Sequence, residues 1–283
     1  MVDDRRIPVY ALNIAAMPHP DGIYPQLLRR AANIVVRAHG SDWARITAPE
    51  SAPETPGVYT GRIQVWTEID LRAPWYDITR DAELSEEIRK TISIPPNAKP
   101  NYRAFDYVFG ERKHRLYFEA RNEHGKTLGP TVARRIRSAV LSQEVQGLMA
   151  PSVEVTLVPK EGTVKRILAM PGLRTLTINV LVPNPDTTDA EAEKRVRKRL
   201  ADAKARSMHV TYTKQRRAKR LTPTPEIEEL ATVAAKNGFV SGEGVSGGKP
   251  TELSTSDEPR REYAEGKGGV SFLSKLINSV GLW

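Results

Sequence analysis

Cysteine is absent from the 283 residues, which excludes disulfides, thiolate metal sites and a cysteine nucleophile. No apolar run reaches the roughly 18 residues that a membrane-spanning helix needs, and the amino-terminus lacks a secretory pattern. The chain contains no G-x-x-x-x-G-K-[ST] loop and no G-x-S-x-G elbow, which are signatures of nucleotide binding and hydrolysis. We therefore expect a soluble cytoplasmic protein in a reducing compartment.

Histidine is scarce as well, and its spacing does not indicate a metal site. The five histidines are His19, His39, His114, His124 and His209. No two of them stand at a metal-ligand spacing such as H-x-x-x-H, so we predict no metal site built from histidine. Dispersed acids such as Asp106, Glu119 and Glu154 leave open a divalent metal bound by carboxylates, as in many nucleases. The sequence identifies no cofactor.

The net charge of +9 comes from one segment of the chain. The segment from Lys194 to Arg220 contains twelve Lys or Arg residues and one acid, Asp202. Its net charge is therefore +11, and the rest of the chain has a net charge of −2. Five of these cations lie in a predicted loop, where no helix dipole offsets their mutual repulsion. A polyanion would relieve this repulsion, so the five are candidate nucleic-acid contacts, with a solvated loop as the alternative. They are Lys214, Arg216, Arg217, Lys219 and Arg220.

The best-defined secondary structure lies between residues 102 and 182. The pattern there predicts a hairpin over 103–109 and 115–120, a helix from Pro130, a strand over 152–157, a short helix over 164–168 and a strand over 176–182. Before it come a strand over 7–16, a turn and a helix to about residue 37. This order predicts an α+β fold with a mixed, mainly antiparallel sheet, helices mostly on one face, and ferredoxin-like units.

Composition divides the chain into four parts. We predict an α+β core domain over 1–182, an extension with a basic helix, a strand, a second helix and a hairpin over 183–255, and a polar linker over 256–269. Apolar residues at helical spacing predict an amphipathic helix over 270–283. A helix this short needs a docking surface, which is either its own domain or a protein partner or second copy of the chain.

His19 is the first candidate catalytic residue. It lies in the turn Met17-Pro18-His19-Pro20-Asp21-Gly22 between a predicted strand and a helix, where free amides and the helix dipole favour an anion. Together with Asp21 and Tyr24 it supplies an acid, a base and a phenol. The alternative is a sharp turn with His19 at its exposed tip and Asp21 as the helix cap.

His114 is the second candidate. It lies in the central hairpin beside Arg112, Lys113 and Arg115, a group suited to holding a phosphodiester while an imidazole acts as general acid or base. A charged hairpin turn exposed to water explains the same residues.

Several short blocks of the sequence resemble a bacterial and phage family, domain of unknown function 4747, over roughly residues 7–259. The blocks are Asn13-Ile14 with Met17-Pro18-His19-Pro20-Asp21-Gly22-Ile23-Tyr24, Arg115-Leu116-Tyr117-Phe118-Glu119, Pro183-Asn184-Pro185-Asp186 and Lys236-Asn237-Gly238-Phe239. The resemblance supplies no catalytic residues. It implies a prokaryotic or mobile-element setting, in which defence and nucleic-acid roles are common.

The leading functional prediction is nucleic-acid binding, with RNA favoured over duplex DNA. Open sheet faces with Tyr107, Tyr117 and Phe118 nearby would suit base stacking, although packing in the core also explains the three rings. Two other functions stay open. One is an endoribonuclease or metal-dependent nuclease acting in defence, and the other is a non-catalytic partner in a toxin or defence complex.

Overall fold

The computed structural model describes residues 6–52, 55–147, 149–183, 191–264 and 274–277. The strands are β1 (Ile7–Met17), β2 (Val36–His39), β3 (Asp42–Ile46), β4 (Glu50–Ser51), β5 (Val58–Thr67), β6 (Tyr76–Asp77), β7 (Ala82–Glu83), β8 (Arg103–Gly110), β9 (Arg115–Glu119), β10 (Ser152–Leu157), β11 (Thr175–Leu181), β12 (Ser207–Thr213), β13 (Gly238–Ser246), β14 (Lys249–Ser254) and β15 (Arg261–Ala264). The helices are α1 (Ile23–Ala31), α2 (Glu86–Thr91), α3 (Pro130–Val140), α4 (Gln143–Gln146), α5 (Thr163–Leu168), α6 (Glu191–Asp202) and α7 (Pro225–Lys236).

The larger sheet is antiparallel and contains a ferredoxin-like unit. Its strands follow the order β10-β1-β9-β8-β5-β3-β2, with β15 beside β1 and β4 beside β5. Four of these strands, β1, β8, β9 and β10, follow one another in this order along the chain, and in the sheet they lie side by side in the order β10-β1-β9-β8. Helix α1 follows the first of these four strands, and α3 follows the third. This is the ferredoxin-like arrangement, extended beyond β8 by β5, β3 and β2. The predicted α+β fold with a mainly antiparallel sheet is confirmed.

Helices α1 and α3 pack on one face of this sheet. Leu12, Ile14 and Ala16 of β1 enter the core that these helices cover, together with Leu27 of α1 and Ile136 of α3. Because side chains alternate along a strand, the residues of β1 between these three face the opposite side. That opposite face is where the second sheet and the end of the chain pack.

The second sheet has its own core. Its strand order is β12-β11-β13-β14, and Ile178 of β11, Val196 of α6 and Ala234 of α7 pack together in its interior. Strand β11 pairs with β12 and β13 and therefore belongs to the second sheet. The chain leaves the larger sheet near residue 160, whereas the core domain predicted from composition includes β11 and ends at residue 182. The alternating pattern predicts the strand itself, but its pairing partners are distant in the sequence.

Helix α1 ends at Ala31, and the prediction that it continues to about residue 37 is wrong. Asn33 has φ 66°, a left-handed conformation that Asn tolerates better than most residues and that stops a helix. The chain then enters β2, where β-branched Val36 favours a strand. The apolar spacing continues past the helix because Ile34 packs on the same core from the turn.

Residues 256–264 form an ordered segment, and the prediction of a polar linker there is wrong. β15 pairs with Ile7–Tyr10 of β1, along the part of that edge which β10 leaves uncovered. Ala264 is completely buried, and Glu258 forms an ion pair with Arg166. Backbone pairing orders the segment, because hydrogen bonding along an edge strand depends little on whether the side chains are apolar. Residues 265–269 lie outside the described residues.

The described part of the C-terminal segment packs on the protein's own sheet. Residues 274–277 are helical, and Leu276 is completely buried against Val9, Val58 and Tyr117 on the face opposite the helices. Docking on its own domain, the first of the two alternatives, therefore holds for these residues. The rest of the predicted helix over 270–283 lies outside the described residues.

The three aromatic residues considered for base stacking lie in the protein core. Tyr107, Tyr117 and Phe118 are at most 3% exposed. The Tyr107 ring faces the guanidinium of buried Arg137, whose carbon lies 4.0 Å from the ring centroid. Packing in the core therefore accounts for these rings, and none of them presents a face to a ligand.

Candidate functional site

The turn after β1 holds His19 in a half-buried position. Gly22 has φ 70° and precedes the first residue of α1 without a side-chain cap, a conformation that suits glycine. Asp21 is exposed and does not cap the helix, and His19 is not at an exposed tip. Both details differ from the simple-turn alternative considered for this stretch.

His114, the second candidate histidine, lies next to the turn that contains His19. It follows the 3-10 turn Glu111–Lys113 with φ 51°, and its carbonyl accepts a hydrogen bond from the Ile14 backbone N–H at 2.9 Å. Its side chain is 1% exposed. The bond to β1 therefore fixes the His114 ring beside the turn that carries His19.

Three rings meet at this point. The His19 and His114 centroids lie 4.6 Å apart at an interplanar angle of 71°, and the Tyr24 ring stacks on His114 at 4.6 Å. The two candidate histidines, far apart in the sequence, are thus brought into contact, with Tyr24 completing the cluster. We call these three residues the His–Tyr cluster.

Hydrogen bonding connects His19 to Tyr24 and Tyr24 to β1. The Ala16 backbone N–H donates to the Tyr24 hydroxyl oxygen at 3.3 Å, and this oxygen lies 3.0 Å from His19 Nδ1. A phenol oxygen has one proton and two lone pairs, so it can accept the Ala16 N–H and still either donate to Nδ1 or accept from it. A His19 that acts as a general acid is the protonated imidazolium, because a neutral imidazole gives up its ring proton far too weakly.

His19 lines a cavity of about 540 Å³ between the two sheets. The antiparallel pairs Ala15↔Glu154 and Met17↔Ser152 place these side chains together on the face opposite α1 and α3, where they form one wall. The facing wall comes from α6 and the residues after it, and Leu181 and Pro183 contribute to the rim. A cavity of this volume is within the range of small-molecule sites.

Positive charge dominates the polar groups of the cavity. Among the residues that the structure describes, the charged groups lining it are Arg197, Lys204, Arg206 and one carboxylate, Glu154. Arg206 forms an ion pair with Glu154 and donates a hydrogen bond to Ser152 Oγ at 3.3 Å. Cations of this kind are the groups that bind a phosphate-bearing ligand.

Sequence reasoning missed these cations as site residues, although a signal was present. The helix dipole alone accounts for cations late in a helix, so the cations of α6 gave no separate indication of a ligand. Arg197, Leu200 and Ala201 are spaced i, i+3 and i+4, which puts them on one side of α6. All three line the cavity together with Lys204, which lies two residues beyond the end of the helix.

The predicted basic loop lies at the other end of β12 from the cavity. Lys214 donates to the Ala218 carbonyl at 3.2 Å and Arg220 to the Leu168 carbonyl at 2.8 Å, so these two cations hold the loop. The other three cations of the loop, Arg216, Arg217 and Lys219, are exposed. Seven residues of β12 separate the loop from the cavity, roughly 20 Å at the usual rise of a strand.

The cations beside His114 lie on two sides of the hairpin turn. Arg112 and Lys113 are exposed, and Arg115 is partly buried. Arg115 is opposite Asn13 in the β1–β9 register, and the Asn13 side chain donates to the Lys236 carbonyl of α7 at 3.2 Å. Arg115 therefore lies on the face of the larger sheet that meets the second sheet.

Within the described ranges, no helix is long and apolar enough to cross a membrane.

A family model described as "Domain of unknown function (DUF4747)" matches residues 5–278. The chain belongs to the DUF4747 family. The DUF4747 match includes the stretch beyond residue 259, which the resemblance in the sequence did not cover. Among curated proteins, none matches this DUF4747 chain.

The acids considered for a metal site do not converge in this DUF4747 protein. The Asp106 backbone N–H donates to Glu119 Oε1 at 2.8 Å, but Glu154 is at the cavity with Arg206. Across the part of the chain that the structure describes, no three His, Cys, Asp or Glu side chains are grouped closely enough to share a metal ion.

Glu119 itself has an altered acidity. Burial raises the pKa of Glu119 to about 7 from 4.5, and the hydrogen bond from Asp106 opposes this rise. The folded protein therefore retains this proton at pH values where the unfolded chain has released it. The free energy of unfolding should fall as pH rises from about 4.5 to about 7, because the folded state then binds more protons than the unfolded state.

Replacing Glu119→Gln should remove this pH dependence. The amide is neutral at every pH and keeps an oxygen that accepts the Asp106 N–H, so the variant should be more stable than the wild type above pH 7 by roughly 1–3 kcal/mol, given about 1.4 kcal/mol for each pKa unit. Urea unfolding at pH 5 and pH 8 measures this difference, and exposed Glu83→Gln is the matched control. A Glu119→Gln curve parallel to that of the wild type would contradict the assignment.

Proposed function

We propose that this DUF4747 protein binds single-stranded nucleic acid, with RNA as the favoured ligand, in the cleft between its two sheets. The observation that carries the proposal is the cavity in which Arg197, Lys204 and Arg206 surround apolar walls beside His19. Phosphate contacts provide most of the affinity in such complexes, and cations are the groups that make them. The exposed cations of the loop after β12 extend the positive surface beyond the cavity.

The shape of the site supports a single strand over a duplex. A cavity of about 540 Å³ is large enough for an unstacked nucleotide, whereas the bases of a duplex are stacked inside the double helix and cannot enter a cavity. Single-strand binding proteins combine a positively charged path for the backbone with a surface that contacts unstacked bases, most often aromatic rings. In this protein that surface is an apolar wall. The cavity and the loop provide these two elements about one strand length apart.

The cellular setting that we propose is the cytoplasm of a prokaryote, including roles in defence against phage. The lack of cysteine supports a reducing compartment. The sequence blocks that resemble a bacterial and phage family support the setting.

Substituting the three exposed loop cations tests the binding surface. The triple variant Arg216→Gln, Arg217→Gln, Lys219→Gln should bind a single-stranded RNA more weakly. The slope of log affinity against log salt should become shallower by about 0.7 for each phosphate that the variant no longer neutralises, because fewer counterions are released on binding. Fluorescence anisotropy at several salt concentrations measures both quantities.

The matched control removes the same charge elsewhere, with Lys90→Gln, Lys126→Gln and Lys249→Gln, all exposed residues outside the basic segment. Arg220 is left unchanged because it binds the Leu168 carbonyl. If the loop variant and the control variant have the same affinity and salt slope, the loop is not part of the interface.

The His–Tyr cluster favours a second candidate function, metal-independent cleavage of RNA. In this reaction a ribose 2′-oxygen attacks the adjacent phosphorus while its proton passes to a base. The phosphorus bond to the 5′-oxygen breaks, and an acid protonates that oxygen, giving a 2′,3′-cyclic phosphate and a 5′-hydroxyl. His19 lines the cavity and is placed to act as the acid. His114 is 1% exposed and would position His19 without touching the substrate.

Cleavage of labelled RNA in the presence of a chelator tests this candidate. His19→Ala should reduce the cleavage rate by about 100-fold or more, the usual contribution of a general acid. His114→Ala should reduce it less. Exposed His124→Ala is the matched control and should leave the rate unchanged. Chelator-resistant cleavage that survives His19→Ala would exclude this mechanism, and intact RNA with wild-type protein would leave binding as the function.

A further inference from the structure

The cavity walls suggest what part of a nucleic acid enters it. Apolar groups from both sides line the space, including Met17 at the end of β1, Pro18 after it, and Leu200 and Ala201 on α6. A flat, largely apolar ring is the part of a nucleotide that such walls accommodate, since burial of apolar surface stabilises the bound state. The cations Arg197 and Lys204 lie on the same wall as Ala201 and can hold the attached phosphate.

The polar groups of the opposite wall form a defined hydrogen-bonding pattern. Glu154 is held by Arg206, and Arg206 is fixed further by its bond to Ser152. An ionised carboxylate accepts hydrogen bonds and a guanidinium donates them. The pair therefore presents acceptors next to a donor, at the edge of a space that a base can enter.

This pattern matches one base better than the others. The Watson–Crick edge of guanine presents two adjacent donors, N1–H and the N2 amino group, followed by the acceptor O6. Two donors satisfy the two oxygens of a carboxylate, and O6 accepts from the guanidinium. Adenine, cytosine and uracil do not present two ring-edge donors in this arrangement.

We propose that the cavity binds a single unstacked guanine of an RNA strand, with Glu154 and Arg206 recognising its Watson–Crick edge and Arg197 and Lys204 holding its phosphate. The inference rests on the proposed function and adds base specificity to it. Sequence-specific recognition of RNA commonly uses such splayed bases, whose Watson–Crick edges are accessible. The cations outside the cavity bind the rest of the strand without regard to sequence.

Oligonucleotides that differ at one base test this directly. Nine-nucleotide RNAs contain a central guanine, inosine or adenine within uracil. Inosine lacks the N2 amino group of guanine and keeps N1–H and O6. The wild type should bind the guanine oligonucleotide at least about fivefold more tightly than the inosine one, the lower end of the range for a good bidentate contact. Adenine should bind as weakly as inosine or more weakly.

Two variants assign the effect to the cavity. Ala201→Trp places a large ring over the space from the exposed side of α6 and should abolish the preference for guanine. Ala203→Trp is the matched control, because Ala203 is exposed just beyond the same helix and does not line the cavity. Glu154→Gln replaces an acceptor by a donor and should also abolish the preference. Thermal melting of each variant checks that it folds.

The outcomes separate this inference from the proposed function. Equal, salt-dependent binding of all three oligonucleotides by the wild type would overturn the guanine site and leave RNA binding in place. A guanine preference that persists in Ala201→Trp would place recognition outside the cavity and overturn the inference as well. Titration with guanosine 5′-monophosphate covers the remaining case, because failure to bind both it and every oligonucleotide would overturn the inference and the proposed function together.

Discussion

Hydrogen bonding along both edges of β1 holds the two sheets and the candidate site together. One edge pairs with β9, and the other pairs with β10 and then with β15. Near its C-terminal end, Ile14 N–H binds the His114 carbonyl and Ala16 N–H binds the Tyr24 hydroxyl. The Asn13 side chain meets α7 of the second sheet. A single strand thus positions the His–Tyr cluster, one wall of the cavity and the contact between the sheets.

The cations of the basic segment form two groups, one at the cavity and one in the loop after β12. The basic segment contributes cations to the cavity from α6 and the residues after it, and to the exposed loop after β12. These two groups lie at opposite ends of β12. Repulsion among these cations has a cost in the free protein, which the binding of a polyanion would relieve. Two of the loop cations are directed to backbone carbonyls, so the folded loop keeps a defined shape while exposing the other three.

Local patterns predicted most of the elements, because each depends on residues a few positions apart. The hairpin of β8 and β9, helix α3, and the strands β10 and β11 were all predicted within about two residues. Non-local pairing was not predictable in the same way. The polar composition of residues 256–264 gave no sign that β15 would pair with the first strand, and the alternation in β11 did not show which sheet it joins.

In the candidate site, too, local features were predictable and contacts between distant residues were not. The turn at His19 and the basic hairpin at His114 were each recognised from their own residues, but only the register of β1 with β9 brings the two rings together. Arg137 is a further example, since helical periodicity did not indicate that a guanidinium would be buried against Tyr107. Contacts between residues far apart in the chain require the topology, which one sequence does not specify.

The proposed single strand of RNA would lie in the cleft between the two sheets. Ultraviolet cross-linking of RNA to the wild-type protein, followed by mass spectrometry of the linked peptides, locates the strand directly. We expect cross-links to peptides containing Met17–His19 and Arg197–Arg206, in addition to the loop after β12. Cross-links confined to other surfaces, with none on the residues that line the cavity, would contradict it.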